Sequence, residues 1–182
     1  MVDDEPRWLT RDETHAWIAL SGLFTHLPHL LDAQLQRDAG ISFADYQVLA
    51  WLSMATGRTR RMRDLAARAD VSLSHLSRIV ARLEAQGWVR REPEPTDGRT
   101  TLAILTDAGW DKVVATAPGH VAEVRRRVFD GLTEAQVTAL TDIARHITDA
   151  CDVTLPPIDG DFPEDAPARL PDPRQPHPPR AG

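Results

Sequence analysis

The segment from Arg61 to Thr106 constrains the fold of this 182-residue chain more than any other part of it. Its first half has the pattern of two short helices joined by a tight turn, and its second half has the pattern of a β-hairpin. Residues 62–69 predict the first helix, and a second is predicted to end before Gly87. A helix-turn-helix followed by a hairpin has few uses other than docking on duplex DNA.

The second predicted helix has one apolar stripe and clear signals at both ends. Four of its apolar side chains recur at positions i, i+3, i+4 and i+7: Leu76, Ile79, Val80 and Leu83. Ser72 is the expected N-cap, Val71 the expected buried residue of the turn before it, and Gly87 suits the left-handed conformation that ends a helix. The remaining faces are small, polar and basic.

Two runs of strand-forming residues after this helix predict the hairpin. They cover residues 88–91 and 100–105, and turn-forming residues separate them: Pro93, Pro95, Asp97 and Gly98. We expect Arg99 at the hairpin tip, where it can reach phosphates or a minor groove. Asp97 lies two residues before Arg99 and is expected to brace its guanidinium by a charge-assisted hydrogen bond.

Several short motifs follow one another in a distinctive order within this segment. They are Asp70-Val71-Ser72, the run from Ser77 to Val89, Asp97-Gly98-Arg99, Leu105-Thr106 and Gly109. A chain with these motifs resembles the multiple-antibiotic-resistance regulator (MarR) family of bacterial winged-helix repressors, strongly over residues 41–109 and more loosely from about 10 to 152. The resemblance implies an obligate homodimer, a second helix that enters the major groove, a hairpin "wing" whose Arg99 enters the minor groove, and DNA affinity that a small ligand often lowers.

The predicted DNA contacts lie on the second helix, here the recognition helix, and on the wing. The candidates on and beside the helix are Ser72, Ser74, His75, Ser77, Arg78 and Arg82. The candidates on the wing are Arg90, Arg91, Asp97 and Arg99. We expect His75 and Arg78 to contact bases or phosphates, and Ser72 and Ser74 to contact phosphates. For Arg78 the alternative is an ion pair within the protein.

The distribution of charge favours a nucleic-acid partner, although the total does not. The whole chain has a net charge of −6, yet residues 58–99 contain ten arginines and six acidic residues, a local charge of +4. The preference for arginine over the single lysine, Lys112, is explained by a compositional bias of the genome. That bias does not explain why the arginines cluster in this segment.

Helical patterns flank the predicted DNA lobe, residues 41–106, on both sides. Residues 10–37 and 107–152 predict long helices too apolar to stand alone, and Thr133 with Gln136 forms a capping box that opens the last one. We therefore expect these helices to pair with those of a second subunit, so that two recognition helices bind a pseudo-palindromic operator.

Residues 59–62 are a candidate third strand beside the wing. The predicted fold is mainly α with a small β-hairpin wing, a winged helix-turn-helix joined to a dimerisation lobe.

The composition changes sharply near the end of the chain. Nine of the 14 prolines fall after Leu155. Such a segment cannot bury enough apolar surface to form a packed core, so residues 153–182 are expected to form a solvated, disordered tail. A partner-binding or intersubunit arm is the alternative.

Several classes of protein do not fit the sequence. A single cysteine, Cys151, allows no internal disulfide, and the acidic start MVDDEPRW does not resemble a signal peptide. No apolar run approaches the roughly 20 residues that span a bilayer, so we expect a cytoplasmic protein without a membrane partner. We find no phosphate-binding glycine loop, nucleophile elbow or metal-ligand cluster, so we expect neither an enzyme nor a cofactor.

Metal and redox sensing are alternatives with weaker support. His26 with His29, and His120 with Glu123, have helical spacing that could face a metal, but no third ligand is indicated by the spacing. Cys151 lies outside the first helix, where the resemblance places a sensing thiol, and we expect it to pack as a small apolar side chain.

The family resemblance implies regulation by a small aromatic ligand. We expect a cleft between the dimer helices and the DNA lobe, walled by His15, Trp17, Trp51, Met54 and Trp110. The alternative is that these side chains form part of the hydrophobic core. A further alternative is a winged-helix dimer that does not bind DNA and serves as a ligand or partner scaffold.

Overall fold

The computed structural model describes residues 6–153, so the predicted tail lies outside the described residues except for Val153. The elements, in chain order, are α1 (Arg11–Ala39), α2 (Phe43–Ser53), a short 3-10 turn (Thr56–Arg58), β1 (Thr59–Arg61), α3 (Met62–Arg68), α4 (Leu73–Ala85), β2 (Val89–Glu94), β3 (Asp97–Leu105), α5 (Asp107–Val124), a π-helical turn (Arg125–Phe129) and α6 (Glu134–Ala150). The predicted mainly helical fold with a small antiparallel wing is confirmed. No helix within residues 6–153 is both long and apolar enough to cross a membrane.

Local capping explains where α4 begins and ends. The Ser72 hydroxyl accepts a hydrogen bond from the backbone N–H of His75 at 3.2 Å, as the sequence predicts. Val71, in the turn between α3 and α4, is half-buried and packs against the core. Beyond the other end of α4, Gly87 has a φ of 73°, a conformation that costs a glycine nothing.

The wing belongs to a three-stranded antiparallel sheet in the order β1-β3-β2, and the predicted third strand is β1. The predicted hairpin is too short. β2 and β3 pair as far as Glu94 opposite Asp97, so the turn lies at residues 95–96 and Arg99 is the third residue of β3 rather than the tip. Pro93 is tolerated because β2 is an edge strand, and the register is irregular beside it.

One core joins the helix-turn-helix to the wing. Its fully buried side chains come from α1, α2, α3, α4 and the sheet: Leu35, Val48, Leu49, Leu52, Leu65, Leu76, Ile79, Val80, Leu83 and Val89. The four predicted stripe residues of α4 are all among them. Burial of one such side chain stabilises a fold by about 1.5–3 kcal/mol, so this cluster fixes the direction in which the polar face of α4 points.

A compact junction connects α4, the wing and α5. The Thr106 hydroxyl donates to the carbonyl oxygen of Gly87 at 2.7 Å and accepts from the backbone N–H of Gly109 at 3.0 Å. Gly109 lies directly against the backbone of Trp88, where a side chain has no room. This contact explains why Thr106 and Gly109 belong to one sequence motif.

The helices outside the core leave apolar side chains exposed. The buried residues of α1 lie in its last third, at Leu31, Gln34 and Leu35, and α6 has no buried residue against the described chain. Ile18 is 63% exposed and Ile143 is 57% exposed. α6 nevertheless has its predicted capping box, because capping by Thr133 and Gln136 is a local interaction.

Candidate nucleic-acid interface

The outward face of α4 carries the predicted polar residues. Ser72, Ser74, His75 and Arg78 are exposed, and Ser77 is half-buried. The Ser72 and Ser74 hydroxyls share a hydrogen bond of 3.1 Å, so both lie at the start of the helix. The structure therefore brings five of the predicted contacts together at the N-cap and in the first two turns, on the faces that the buried stripe leaves free.

Asp97 orders the start of β3, but not in the predicted way. Its carboxylate accepts 2.8 Å and 3.1 Å hydrogen bonds from the Thr100 hydroxyl and the Arg99 backbone N–H. These two bonds, led by that from Thr100, hold the pKa of Asp97 below its ordinary value. No hydrogen bond or ion pair joins Asp97 to the Arg99 guanidinium within residues 6–153, so the predicted brace is not seen there, and Asp97 holds the Arg99 backbone instead. The guanidinium is left for other partners.

Four arginines near α4 and the wing are paired with carboxylates. The pairs are Arg61 with Glu94, Arg82 with Asp45, Arg90 with Glu92, and Arg91 with Glu84. Three of them were predicted to contact DNA. Three of the four pairs join separate elements: Arg61 links β1 to β2 at 2.6 Å, Arg82 links α4 to α2 at 2.7 Å, and Arg91 links β2 to α4 at 2.6 Å. The charges of these arginines are therefore largely balanced within the protein.

Three other arginines of this surface have no such partner. Arg63, Arg78 and Arg99 are exposed, and none forms an ion pair with a carboxylate among residues 6–153. The alternative of an internal ion pair for Arg78 is therefore not seen in the described chain. An exposed guanidinium without a carboxylate partner retains its full charge for an external anion.

A cleft of about 670 Å³ separates the wing from the helix-turn-helix. It is lined by Arg61, Met62, Arg63, Asp64, Leu73, Ser77, Arg91, Asp97, Arg99, Thr100 and Thr101. Arg63 was not among the predicted site residues. The clustering of arginines in the sequence pointed to this region, but only the fold distinguishes an unpaired arginine from one that a distant carboxylate neutralises.

The residues predicted to wall a ligand pocket fall into two groups. His15 and Trp17 lie exposed on α1. Trp51, Met54 and Trp110 are half-buried, and the Arg58 guanidinium lies 4.1 Å from the centre of the Trp110 ring. The pocket remains a prediction.

His120 and Glu123 are both engaged within the protein. The His120 ring lies 4.7 Å from the Tyr46 ring, its Nδ1 atom is buried without a hydrogen-bond partner in the described chain, and burial lowers its pKa. Glu123 accepts hydrogen bonds from Arg126 and Arg127, which lower its pKa. No cluster of three or more metal-ligating side chains occurs within residues 6–153.

The remaining candidates for sensing lie at the surface. His26 and His29 are exposed on α1. Cys151 is exposed at the C-cap of α6, so the prediction that it packs as an apolar side chain is wrong for the single chain. The physical reason is that the last turn of α6 has no neighbouring element of the described chain to cover it.

Comparisons with known proteins agree with this geometry. A family model described as the MarR family matches residues 39–100. The MarR family regulator Sco3205 from Streptomyces coelicolor, solved in complex with DNA, is 44% identical; the match covers 85% of this chain and 95% of that one, with a TM-score of 0.76. AbsC, a MarR family regulator from the same organism, is 36% identical over 82% of this chain and 100% of its own, with a TM-score of 0.77.

Curated relatives match over a shorter stretch. The HTH-type transcriptional repressor IacR of Pseudomonas putida is 32% identical over 90 residues, which is 50% of this chain and 53% of that protein. The chain spans about half the length of the curated relatives it matches.

Proposed function

The chain belongs to the MarR family of transcriptional regulators, and on that basis we propose that it is a dimeric, sequence-specific DNA-binding repressor that acts in the cytoplasm. It is a regulator rather than an enzyme. The observation that carries the proposal is the shared cleft between α4 and the wing, with Ser77 on one side and, on the other, Arg99, which forms no ion pair within residues 6–153. The DNA complex of Sco3205, 44% identical, supports DNA as the partner.

In this proposal α4 enters the major groove. His75 and Arg78 contact base edges or phosphates, while Ser72 and Ser74 contact phosphates, because these four side chains are exposed in or just before the first two turns. Arg99 of β3 enters the minor groove. Its backbone is held by Asp97 and its guanidinium forms no ion pair within the described chain, which is the state that a minor-groove arginine requires.

The paired arginines act differently in this proposal. Arg82 and Arg91 hold α2, α4 and the wing together through Asp45 and Glu84, while Arg90 pairs with Glu92 on its own strand. Their contribution to DNA binding is then mainly to position the groups that make contact. An arginine that is balanced by a carboxylate adds little to the attraction of a phosphate backbone.

A second copy of the chain covers the exposed apolar faces of the flanking helices. Residues 10–37 and 107–152 form the dimerisation lobe, and Ile18 and Ile143 mark two of the faces that water would otherwise solvate. A two-fold axis then repeats α4 at half-sites about 34–36 Å apart, one turn of the DNA. The operator is therefore pseudo-palindromic.

Regulation by a small aromatic ligand completes the proposal. Trp51, Met54 and Trp110 are half-buried near α2 and α5, the region that joins the DNA lobe to the flanking helices. A ligand lowers DNA affinity only to the extent that it binds better to a dimer with the wrong spacing between its two α4 helices. The name of IacR, a transcriptional repressor, supports repression rather than activation.

The test uses the full-length protein and a library of random-sequence duplexes. Selection should enrich one motif with two-fold symmetry, hydroxyl-radical footprinting should protect two equivalent half-sites, and light scattering should give the mass of a dimer. A library that shows no enrichment would contradict sequence-specific binding and favour a scaffold without DNA. A footprint lacking two-fold symmetry would contradict the dimeric arrangement.

A further inference from the structure

Arg63 lies in the first turn of α3 and faces the cleft between the helix-turn-helix and the wing. Its guanidinium forms no ion pair with residues 6–153. The cleft places it together with Ser77 of α4 and Arg99 of β3. These three side chains come from three different elements, so the fold alone brings them to one cavity.

The charges around the cleft leave Arg63 and Arg99 as its available cations. Arg61 and Arg91 also line it, but Glu94 and Glu84 hold their guanidinium groups at 2.6 Å each. Arg63 and Arg99, by contrast, have no carboxylate partner among the described residues, so each can pair with an external anion.

Two aspartates line the cleft together with four arginines, and neither aspartate forms an ion pair with Arg63 or Arg99 among residues 6–153. The Asp97 carboxylate accepts hydrogen bonds from the Thr100 hydroxyl and the Arg99 backbone N–H. The side chains that line the cleft thus include more cations than anions, and its volume of about 670 Å³ leaves room for an external anion between α3 and the wing.

We propose that Arg63 binds a phosphate of the DNA strand that passes between α4 and the wing. This inference rests on the proposed function and adds a residue on α3 to the contacts of α4 and β3. A guanidinium suits the task because its fork of N–H donors matches two phosphate oxygens. The contact reads no base; it sets the register of the strand while α4 and Arg99 read the grooves.

The test compares Arg63→Ala with the unaltered protein by fluorescence anisotropy from about 50 to 200 mM salt. Two duplexes are used, one enriched by selection and one with the same bases scrambled. The loss of one phosphate contact should lower the slope of log affinity against log salt by about 0.9. Affinity at the lowest salt should fall roughly three- to tenfold on both duplexes, because a phosphate contact carries no sequence information.

Two further variants separate this contact from general effects. Arg37→Ala removes an exposed arginine from the last turn of α1, outside the cleft, and should leave the slope unchanged. Arg63→Lys keeps the charge and should keep most of the slope. Thermal unfolding of each variant shows whether the fold is intact, since Arg63 has no ion pair within the described chain to lose.

Three results would overturn the inference. One is an unchanged slope and affinity in Arg63→Ala while the parent protein binds DNA, which leaves the proposed function intact. Another is a loss confined to the selected duplex, which would make Arg63 a base contact. The third is an absence of DNA binding by the parent protein, in which case the proposed function fails as well.

Discussion

The Glu84 carboxylate near the end of α4 accepts three hydrogen bonds from Arg91 of β2. Nη2 and Nε of Arg91 lie 2.6 and 3.0 Å from Oε2, and the backbone nitrogen lies 3.1 Å from Oε1. The side-chain hydrogen bonds are the main reason why the pKa of Glu84 is lowered. The proposed recognition helix and the wing are thus joined by one charged pair.

Replacement of this carboxylate tests whether the pair positions the wing. Glu84→Gln should lower the free energy of unfolding by about 0.5–1 kcal/mol, since the pair is partly exposed and screened. It should also weaken DNA binding several-fold, because the wing is less well held. A double-mutant cycle with Arg91→Met measures the coupling by chemical denaturation. Strictly additive effects of the two substitutions would show that the pair contributes nothing to stability.

Arg99→Ala tests the proposed minor-groove contact. DNA affinity should fall about tenfold or more with little change in melting temperature, because the guanidinium has no ion pair within residues 6–153 to lose. Anisotropy with the selected duplex measures the first effect and thermal unfolding the second. Full affinity in this variant would reject the assignment.

Gly109→Ala tests the close contact of α5 with the wing. A Cβ atom at this position would lie 2.7 Å from Cδ1 of Leu105 and closer still to the Trp88 carbonyl oxygen. We expect a loss of about 1–3 kcal/mol or more in the free energy of unfolding, from overpacking against backbone that cannot move away. Gly119→Ala is the matched control on the same helix, because its Cβ would meet only the Gln34 side chain at 3.5 Å. Equal stability of the two variants would contradict this packing.

His120→Gln tests a pH dependence that arises between α5 and α2. Burial lowers the pKa of His120 in the folded state below its ordinary value of 6.5. The unfolded chain therefore binds the proton more readily, so stability is complete above about pH 6.5 and falls as the pH falls towards the lower folded value. Melting temperatures measured down to pH 5 should decline less in this variant than in the parent protein. His146→Gln, which alters an exposed histidine of α6, should keep the parental decline.

Ile143→Glu tests the face of α6 that we assign to the dimer. This side chain is 57% exposed in the single chain, so a charge there costs the isolated fold little but would be buried in an interface. Light scattering should show a shift from dimer to monomer, with circular dichroism still helical. A dimer of unchanged stability would place the interface elsewhere.

Local interactions explain why much of the fold was predictable. Ser72 caps α4 and Thr133 with Gln136 caps α6 through hydrogen bonds that span three residues, and sequence patterns report such contacts directly. The buried stripe of α4 follows in the same way from helical periodicity. The Asp97-Gly98 pair misled the placement of the wing turn, because strand pairing beyond Pro93 moved the turn to residues 95–96.

The candidate site was harder to predict because its charges are balanced over long distances in sequence. Arg82 pairs with Asp45 of α2, and Arg61 pairs with Glu94 of β2; nothing in the local sequence identifies these partners. The same pattern of arginines therefore contains both paired and available side chains. Arg63 became a candidate only when the fold placed it beside Ser77 in the cleft.

Sequence-specific DNA binding is tested by titrating the full-length protein, with fluorescence anisotropy as the readout, into a selected duplex and a scrambled one across a salt series. We expect binding to the selected duplex to be at least about a thousandfold tighter, with affinity that falls steeply as salt rises. Equal, weak binding to both duplexes would contradict sequence-specific binding, and would mean that the polar face of α4 and the arginines without ion pairs in residues 6–153 serve another partner.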